Sequence, residues 1–376
     1  MHRLDAQMDF LMEADRLKSV DRANVLLDGS RPENAAEHAW HLCLWAMVLA
    51  PLAPSDVDID AVIAMLLVHD LVEIDAGDTP IDQPDPNQAA RETRAADRLF
   101  ALLPVDQAAE FRALWQTFEA AQTPDARWAK ALDHIAPVFQ VLLAPSPPAD
   151  HVTIARDNLH TGRAARLVTE WPQIYRAALD MLEGQPITDA DLAARLQLLA
   201  EADALKSVMR ATRLADNSRL ENTGEHSWHI ALFALVLGEL DTSDTAIVVR
   251  MLILHDLVEI DAGDVPIFAA PSATVEADEA RAADRIFGLL PADTGPAFRA
   301  LWDTFEANQS PEARFAKSLD RFQPPNLNLA NGGGSWIDYA VSEDTVRTRV
   351  GTRIAAGAPH LWDWLSPRIA AHFEKL

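Results

Sequence analysis

Two histidines and two aspartates recur in one order along this chain, and their side chains are the natural starting point for its chemistry. The decapeptide HDLVEIDAGD occupies residues 69–78 and returns unchanged at 255–264. Upstream of the copies stand Glu37-His38 and Glu225-His226, and downstream stand Leu132-Asp133 and Leu319-Asp320. Imidazole nitrogens combined with carboxylate oxygens suit hard-to-borderline divalent cations. A lone buried histidine is usually a hydrogen-bonded core residue, but a whole donor set repeated in order is not explained that way. The candidate ligands are His38, His69, Asp70 and Asp133, and then His226, His255, Asp256 and Asp320. His41 and His229 also recur, and are assigned a supporting or structural role.

No histidine lies between Asp70 and Asp133 or between Asp256 and Asp320. A two-metal site of this kind needs extra histidines there, so one ion per copy is expected, with positions left open for water and substrate. Mixed nitrogen and oxygen ligation leaves Mn, Co, Ni, Zn, Fe and Mg all open. Glu73 follows His69 by four residues and Asp70 by three, which on a continuous helix puts it on the ligands' face. A carboxylate there can take a proton from an attacking water or give one to a leaving oxygen. Gly77-Asp78 should end that helix, since Pro80 prevents its continuation. Glu259 and Asp264 repeat both. The plainer alternatives are a surface salt bridge for the glutamates and a turn former for the aspartates.

The elements that must carry these groups read as helices. Apolar residues recur at three- and four-residue spacing, as in 108–120 and 191–205, and sustained period-two alternation is absent. The expected class is all-α. A shift of 188 residues superimposes Leu17-Lys18-Ser19-Val20 on Leu205-Lys206-Ser207-Val208, and a shift of 187 superimposes 111–115 on 298–302. A repeat this long is a duplicated domain rather than a short solenoid unit. Gly184-Gln185-Pro186 should stop a helix and Thr188-Asp189 should cap the next, giving domains 1–186 and 187–376.

Bulk composition narrows the partners. At 376 residues the chain can bury two ordinary cores. Its net charge of −25, without a Lys/Arg block, argues against a nucleic-acid polymer. A metal and a few local cations still leave a small phosphorylated molecule possible. The single cysteine, Cys43, excludes an intrachain disulfide and a cysteine zinc cluster, and reads as buried packing. Neither a signal peptide nor a bilayer-length apolar run is visible, so a cytoplasmic protein is expected.

With these residues in place, the chain resembles the HD-domain phosphohydrolases. Within them it is similar to the compact group of bacterial 5′-deoxynucleotidases and HD-domain-containing protein 2. The likeness covers nearly all of each copy, including Lys18…Arg22, Arg31…Glu33-Asn34, the Gly77-Asp78…Pro80 turn and Ala129-Lys130. The resemblance implies that the eight ligands above hold one ion per domain. It implies that Glu73, Asp78, Glu259 and Asp264 orient or activate water and assist the leaving group. Arg22 and Arg210 match a substrate-contacting arginine, and Lys18 and Lys206 would add charge. In the deoxynucleotidases a tryptophan follows that arginine and helps to reject ribose; Ala23 and Ala211 stand there instead. The second copy also carries Gly332-Gly333-Gly334-Ser335, an anion nest, a lid or a flexible loop, where the first has the Ala/Pro-rich 142–149.

The expected activity is hydrolysis of a nucleoside 5′-monophosphate or similar small phosphomonoester. The expected arrangement is an internal pseudo-dimer of the copies, without nucleic-acid polymer or membrane. Two alternatives remain at this point: a nucleoside triphosphate phosphohydrolase, and a nucleotide-sensing module with one or both sites of low turnover. In the second case the changed tail of the first copy marks it as the weaker site.

Overall fold

A computed structural model describes residues 3–375 except 82, 84 and 270–273. It is built almost wholly of helices. The chain begins with α1 (Arg3–Ala14), then an antiparallel pair of short strands, β1 (Asp21–Val25) and β2 (Pro32–Asn34). Helices α2 (Ala35–Val48), α3 (Ile59–Val68), α4 (Glu73–Ala76), α5 (Gln88–Phe100), α6 (Val105–Ala120) and α7 (Pro124–Leu143) follow. The first copy closes with α8 (Ala149–His160), α9 (Leu167–Glu170) and α10 (Pro172–Leu182). The second copy repeats this course. It runs through α11 (Ala190–Ala202), β3 (Met209–Arg213), β4 (Leu220–Asn222), α12 (Thr223–Leu237), α13 (Thr245–Leu254), α14 (Glu259–Ala262), α15 (Val275–Phe287), α16 (Gly295–Ala307) and α17 (Pro311–Ala330). Its tail is α18 (Gly334–Asp338), α19 (Glu343–Val346), α20 (Thr352–Gly357) and α21 (Pro359–Phe373). The two hairpins are the one departure from a purely helical reading. Their strands of five and three residues are too short to show an alternation in sequence.

Local chemistry explains the ends of the site-bearing helices. Asn34 caps α2 by accepting the Glu37 amide at 3.0 Å, while the Glu37 carboxylate accepts the Asn34 amide at 2.8 Å. This capping box, worth about 1 kcal/mol at its cap residue, fixes the helix one residue before His38. Asn222 and Glu225 form the same box at 3.0 and 2.9 Å. Thr123 caps α7 with Pro124 in its first turn, and Ser310 and Pro311 do so for α17.

The chain packs as two compact units that do not coincide with its sequence halves. One comprises Leu17–Ala204 with Leu289–Thr294; the other comprises the segment up to Arg16, Leu205–Gly288 and the chain from Gly295 onward. Each copy's leading helix therefore belongs to the unit built on the other copy. In the unit around 17–204, α11 lies on α2: His41 Nε2 donates to Leu199 O at 2.9 Å, and buried Arg195 donates to Val48 O at 2.7 Å. In the other unit α1 packs on α12, with His229 Nε2 donating to Leu11 O at 2.8 Å and Gln7 to Glu239 at 2.7 Å. Division by repeat and division by packing differ because a repeat shows which residues are equivalent, not on which copy an amphipathic helix docks.

Among the described residues no helix is long and apolar enough to cross a membrane. Cys43 is buried on α2, as its apolar neighbours indicate.

Candidate metal centre

In each unit the paired strands and three helices bring the repeated donors together. His38 projects from the first turn of α2 and Asp133 from the middle of α7; their Nε2 and Oδ1 atoms are 3.3 Å apart. His69 caps the end of α3. The helix does not continue through the decapeptide. It breaks into a tight turn over 69–72 and resumes as α4, and in the second copy a 3₁₀ turn spans His255–Val258. This corrects the continuous helix expected there. The break also answers a geometric objection, since adjacent residues on an α-helix diverge by about 100°. In the turn, His69 Nε2 and Asp70 Oδ1 lie 3.1 Å apart.

Donor atoms of His38, His69 and Asp70 all fall within 4.8 Å of one another, and those of His226, His255 and Asp256 do the same. Asp133 adjoins the first trio through His38, and Asp320 adjoins the second through His226 at 3.2 Å. The tautomers favour ligation. His69 Nδ1 donates to Leu66 O at 2.8 Å and His255 Nδ1 to Leu252 O at 2.9 Å, leaving both Nε2 lone pairs aimed into the cluster. Both Nε2 atoms are buried without a hydrogen-bond partner. Orphaned imidazole nitrogens among carboxylates are what a divalent cation requires, so the residues present fit the ion. Pro137 follows Asp133 by four residues and Pro324 follows Asp320 by four. Lacking an N–H, each proline releases its ligand's carbonyl from the helical ladder.

The charges of the cluster are strongly coupled. Burial would raise Asp70, yet His69 and Arg22 overcome it and hold the carboxyl below its usual range. Burial opposes, and His38 and His69 enforce, a still lower value for Asp133. Glu73 goes the other way: burial, then the negative charge of Asp70, pushes it well above an ordinary glutamate. Asp78 is raised by burial, with Arg22 opposing. Glu259 and Asp264 are raised in the same manner. The turn presenting Asp78 depends on Gly77, at φ 73° and ψ 154°, backbone that only glycine adopts comfortably. Gly263 repeats it at φ 74° and ψ 157°.

Other expected residues are placed as follows. Arg22 lies on β1 at the cleft, with Nη1 donating to Asp70 Oδ2 at 2.9 Å; Arg210 donates to Asp256 Oδ2 at 3.2 Å. Lys18 and Lys206 need correction. Each sits in the 3₁₀ turn after its leading helix, 1% and 0% exposed, and neither lines a cleft. That turn buries both lysine side chains. His41 and His229 are held by backbone carbonyls and stack on Trp40 and Trp228, away from the ligand trios.

Several contributors were not recognised in sequence. Phe118 meets the His69 ring edge-on at 5.0 Å, and Lys130 lies 3.9 Å over that phenyl ring while bonding Glu119 at 2.8 Å. Phe305 and Lys317 repeat this around His255. Recurrence was the signal that could have found them. Thr223 had no such signal, because Ala35 stands at the equivalent position: its hydroxyl donates to Glu259 at 2.9 Å, whereas Glu73 Oε2 is buried without a partner. His134, beside Asp133, is brought down to about 4, first by burial and then by Arg166, Lys130 and Arg163 against the pull of Asp133.

The clefts differ sharply. The first copy opens a cavity of about 620 Å³ onto His69, Asp70, Glu73, Asp78 and Asp133. The second copy has a pocket of about 60 Å³ beside Arg210 and Asp264, without His255, Asp256 or Asp320 in the lining. Its glycine loop is not loose: Gly332 and Gly333 take φ of 82° and 126°, Asn328 binds Ser335, and Trp336 is buried in the cleft wall. In the first copy α8 lines the cavity through His151, Ile154, Ala155 and Asn158.

Comparison with known proteins identifies the family. A family model described as an HD domain matches residues 14–175 and again 202–362. Human 5′-deoxynucleotidase HDDC2 is 30% identical over 142 residues, covering 37% of this chain and 68% of that protein. The mouse protein of the same name is 31% identical over 134 residues, covering 35% and 66%. A solved structure of a predicted metal-dependent phosphohydrolase from Magnetospirillum magnetotacticum MS-1 is 40% identical, covers 50% of this chain and 97% of its own, and has a TM-score of 0.47. Matched twice over most of its length, the chain belongs to the HD-domain family of hydrolases and carries the domain in tandem.

Proposed function

We propose that the chain hydrolyses small phosphomonoesters, foremost nucleoside 5′-monophosphates, with one divalent ion per domain. The observation that carries this reading is the convergence of His38, His69 and Asp70, adjoined by Asp133, at the foot of an open cavity whose wall also holds Glu73, Asp78 and Arg22. An ion held by these ligands supplies Lewis acidity toward phosphoryl oxygen and lowers the pKa of water. Arg22 brings a permanent cation to the same end of the cavity, where its remaining donors suit phosphate oxygens. Glu73, buried and raised first by burial and then by Asp70, is the carboxyl suited to give a proton to the departing alcohol oxygen. Asp78, less buried and on the rigid Gly77 turn, is the carboxylate available to orient water. The names of the deoxynucleotidase relatives support a nucleotide substrate, and Ala23 beside Arg22 favours no discrimination against ribose.

One observation favours a second role for the other domain. A pocket of about 60 Å³ beside Arg210 is far below the 300–1,000 Å³ usual for small-molecule sites, so the second copy is read as the site of low turnover. The test is orthophosphate release from ribo- and deoxyribonucleoside 5′-monophosphates with Mn²⁺ or Co²⁺, with a chelator control. Chelator-sensitive release from both sugar series is expected. Release of triphosphate or pyrophosphate from nucleoside triphosphates, without orthophosphate from monophosphates, would overturn the monoesterase reading.

A further inference from the structure

The 620 Å³ cavity of the first copy is polarised in a way that the cleavage of one phosphate does not use. Asp70, Glu73 and Asp78 gather with Arg22 at the metal end, and Asp85, Glu92, Glu119 and Asp133 also line the cavity. Another part of its wall carries His134, His151, Arg163 and Arg166, from α7, α8 and the 3₁₀ turn that follows α8. Placing two guanidinium groups, Arg163 and Arg166, on one cavity wall is unfavourable unless something anionic meets them. The protein supplies little: Arg163 has no ion pair among the described residues. Arg166 pairs only with Glu170 through Nε at 3.1 Å, leaving a buried Nη2 without an acceptor. His134 Nδ1 is likewise buried without a partner.

The second copy serves as an internal control. The offset of 187 that aligns Pro172 with Pro359 places Val350 at the position of Arg163 and Arg353 at that of Arg166. Val350 lines the small pocket beside Arg321, which the same offset aligns with His134, and Arg353 does not line it. Among the described residues the second copy lacks a counterpart of Arg163, and Arg163 and Arg166 together line the open cavity of the first.

We propose that the first-copy cleft contains a second anion subsite, formed by Arg163 and Arg166 with His134, so that its preferred substrate carries a further phosphate or carboxylate besides the phosphate that is cleaved. A nucleoside 3′,5′-bisphosphate has this chemistry. The guanidinium forks meet the distal anion by charge-assisted hydrogen bonds, while the scissile phosphate lies at the metal end. The inference rests on the phosphomonoesterase reading for its orientation, and on the cavity for its existence.

The experiment compares adenosine 5′-monophosphate with adenosine 3′,5′-bisphosphate, using the full chain with Asp256→Ala to silence the second copy. Orthophosphate release and calorimetric binding in Mn²⁺ are measured in parallel. A preference for the bisphosphate of about tenfold or more is expected, the worth of one or two hydrogen bonds to charged groups. It should fall toward unity in Arg163→Gln and Arg166→Gln and return in part with Arg163→Lys. No preference, or one that survives both glutamine variants, would overturn the subsite. If neither compound is hydrolysed, the phosphomonoesterase reading fails, and the binding preference still decides the subsite by itself.

Discussion

Asp70→Ala tests the metal assignment at its most coupled residue. The carboxylate lies within 4.8 Å of the donor atoms of His38 and His69 and accepts Arg22 Nη1 at 2.9 Å, with both members of that ion pair only 13% exposed. Its loss therefore removes a ligand and strips a buried guanidinium of its nearest counter-ion. Breaking a buried pair from one side costs about 3–5 kcal/mol. Glu73, Asp78 and Glu33 also act on Arg22 and soften the loss, so the lower end, about 3 kcal/mol, is expected for the unit around 17–204. Metal content by mass spectrometry, orthophosphate release and denaturant unfolding would be followed together. Asp70→Ala should lose the first domain's ion and most turnover, Asp256→Ala should lose the other ion with a small effect on turnover, and the double variant should lose both ions and all activity. A double variant with full metal content and wild-type turnover would refute the reasoning, whatever its stability.

Other substitutions probe the elements around the ligands. Gly77→Ala should destabilise by about 1–3 kcal/mol and slow turnover. A β-carbon at Gly77 meets nothing within 4 Å, so the cost is backbone strain alone; an unfolding midpoint equal to wild type would count against it. Thr223→Ala should cost about 1 kcal/mol by releasing Glu259, read by chemical denaturation, and Ala35→Thr in the first copy should supply Glu73 with the hydroxyl it lacks. Glu279 is raised to about 7, by burial first and then by Glu306 and Asp256. Its folded form thus holds a proton that the unfolded chain has already lost, and stability falls as pH rises from about 4.5 toward 7. Glu279→Gln should accordingly raise the melting temperature at pH 8 and leave it unchanged at pH 4; an equal shift at both values would remove the titration from the account.

Much of the site could be read because duplication acts as an internal comparison. His69, Asp70, Glu73 and Asp78 stood out through an unchanged decapeptide, and Gly77 through the need to end a helix before Pro80. What escaped depended on three dimensions. Apolar periodicity runs straight through Leu66–Ile74, so nothing in it announces the break at His69. Lys18 precedes Arg22 by four residues and invites the same role, but the turn that buries it is set by packing. Thr223 was invisible because its counterpart is Ala35. That Trp336 lines the small pocket of the second copy is a matter of packing, which composition does not record.

The exchange of leading helices bears on how the chain is made. When a ribosome has released only the first 186 residues, the groove on α2 that receives α11 is bare, and α1 has nothing of its own unit to bind. The first body gains α11 only at residue 204 and its last segment only at residue 294, and α1 must be held until residues beyond 205 emerge. The contacts that close each body join residues 158 and 218 positions apart. Their loop-closure costs differ by only about 0.3 kcal/mol, since the penalty grows with the logarithm of length. Order of emergence, rather than loop entropy, then sets which body matures first. A gene cut at the repeat boundary would leave the groove on α2 unfilled, whereas a cut after residue 204 would keep α11 in that groove but part Arg195 from Asp293 and Thr294.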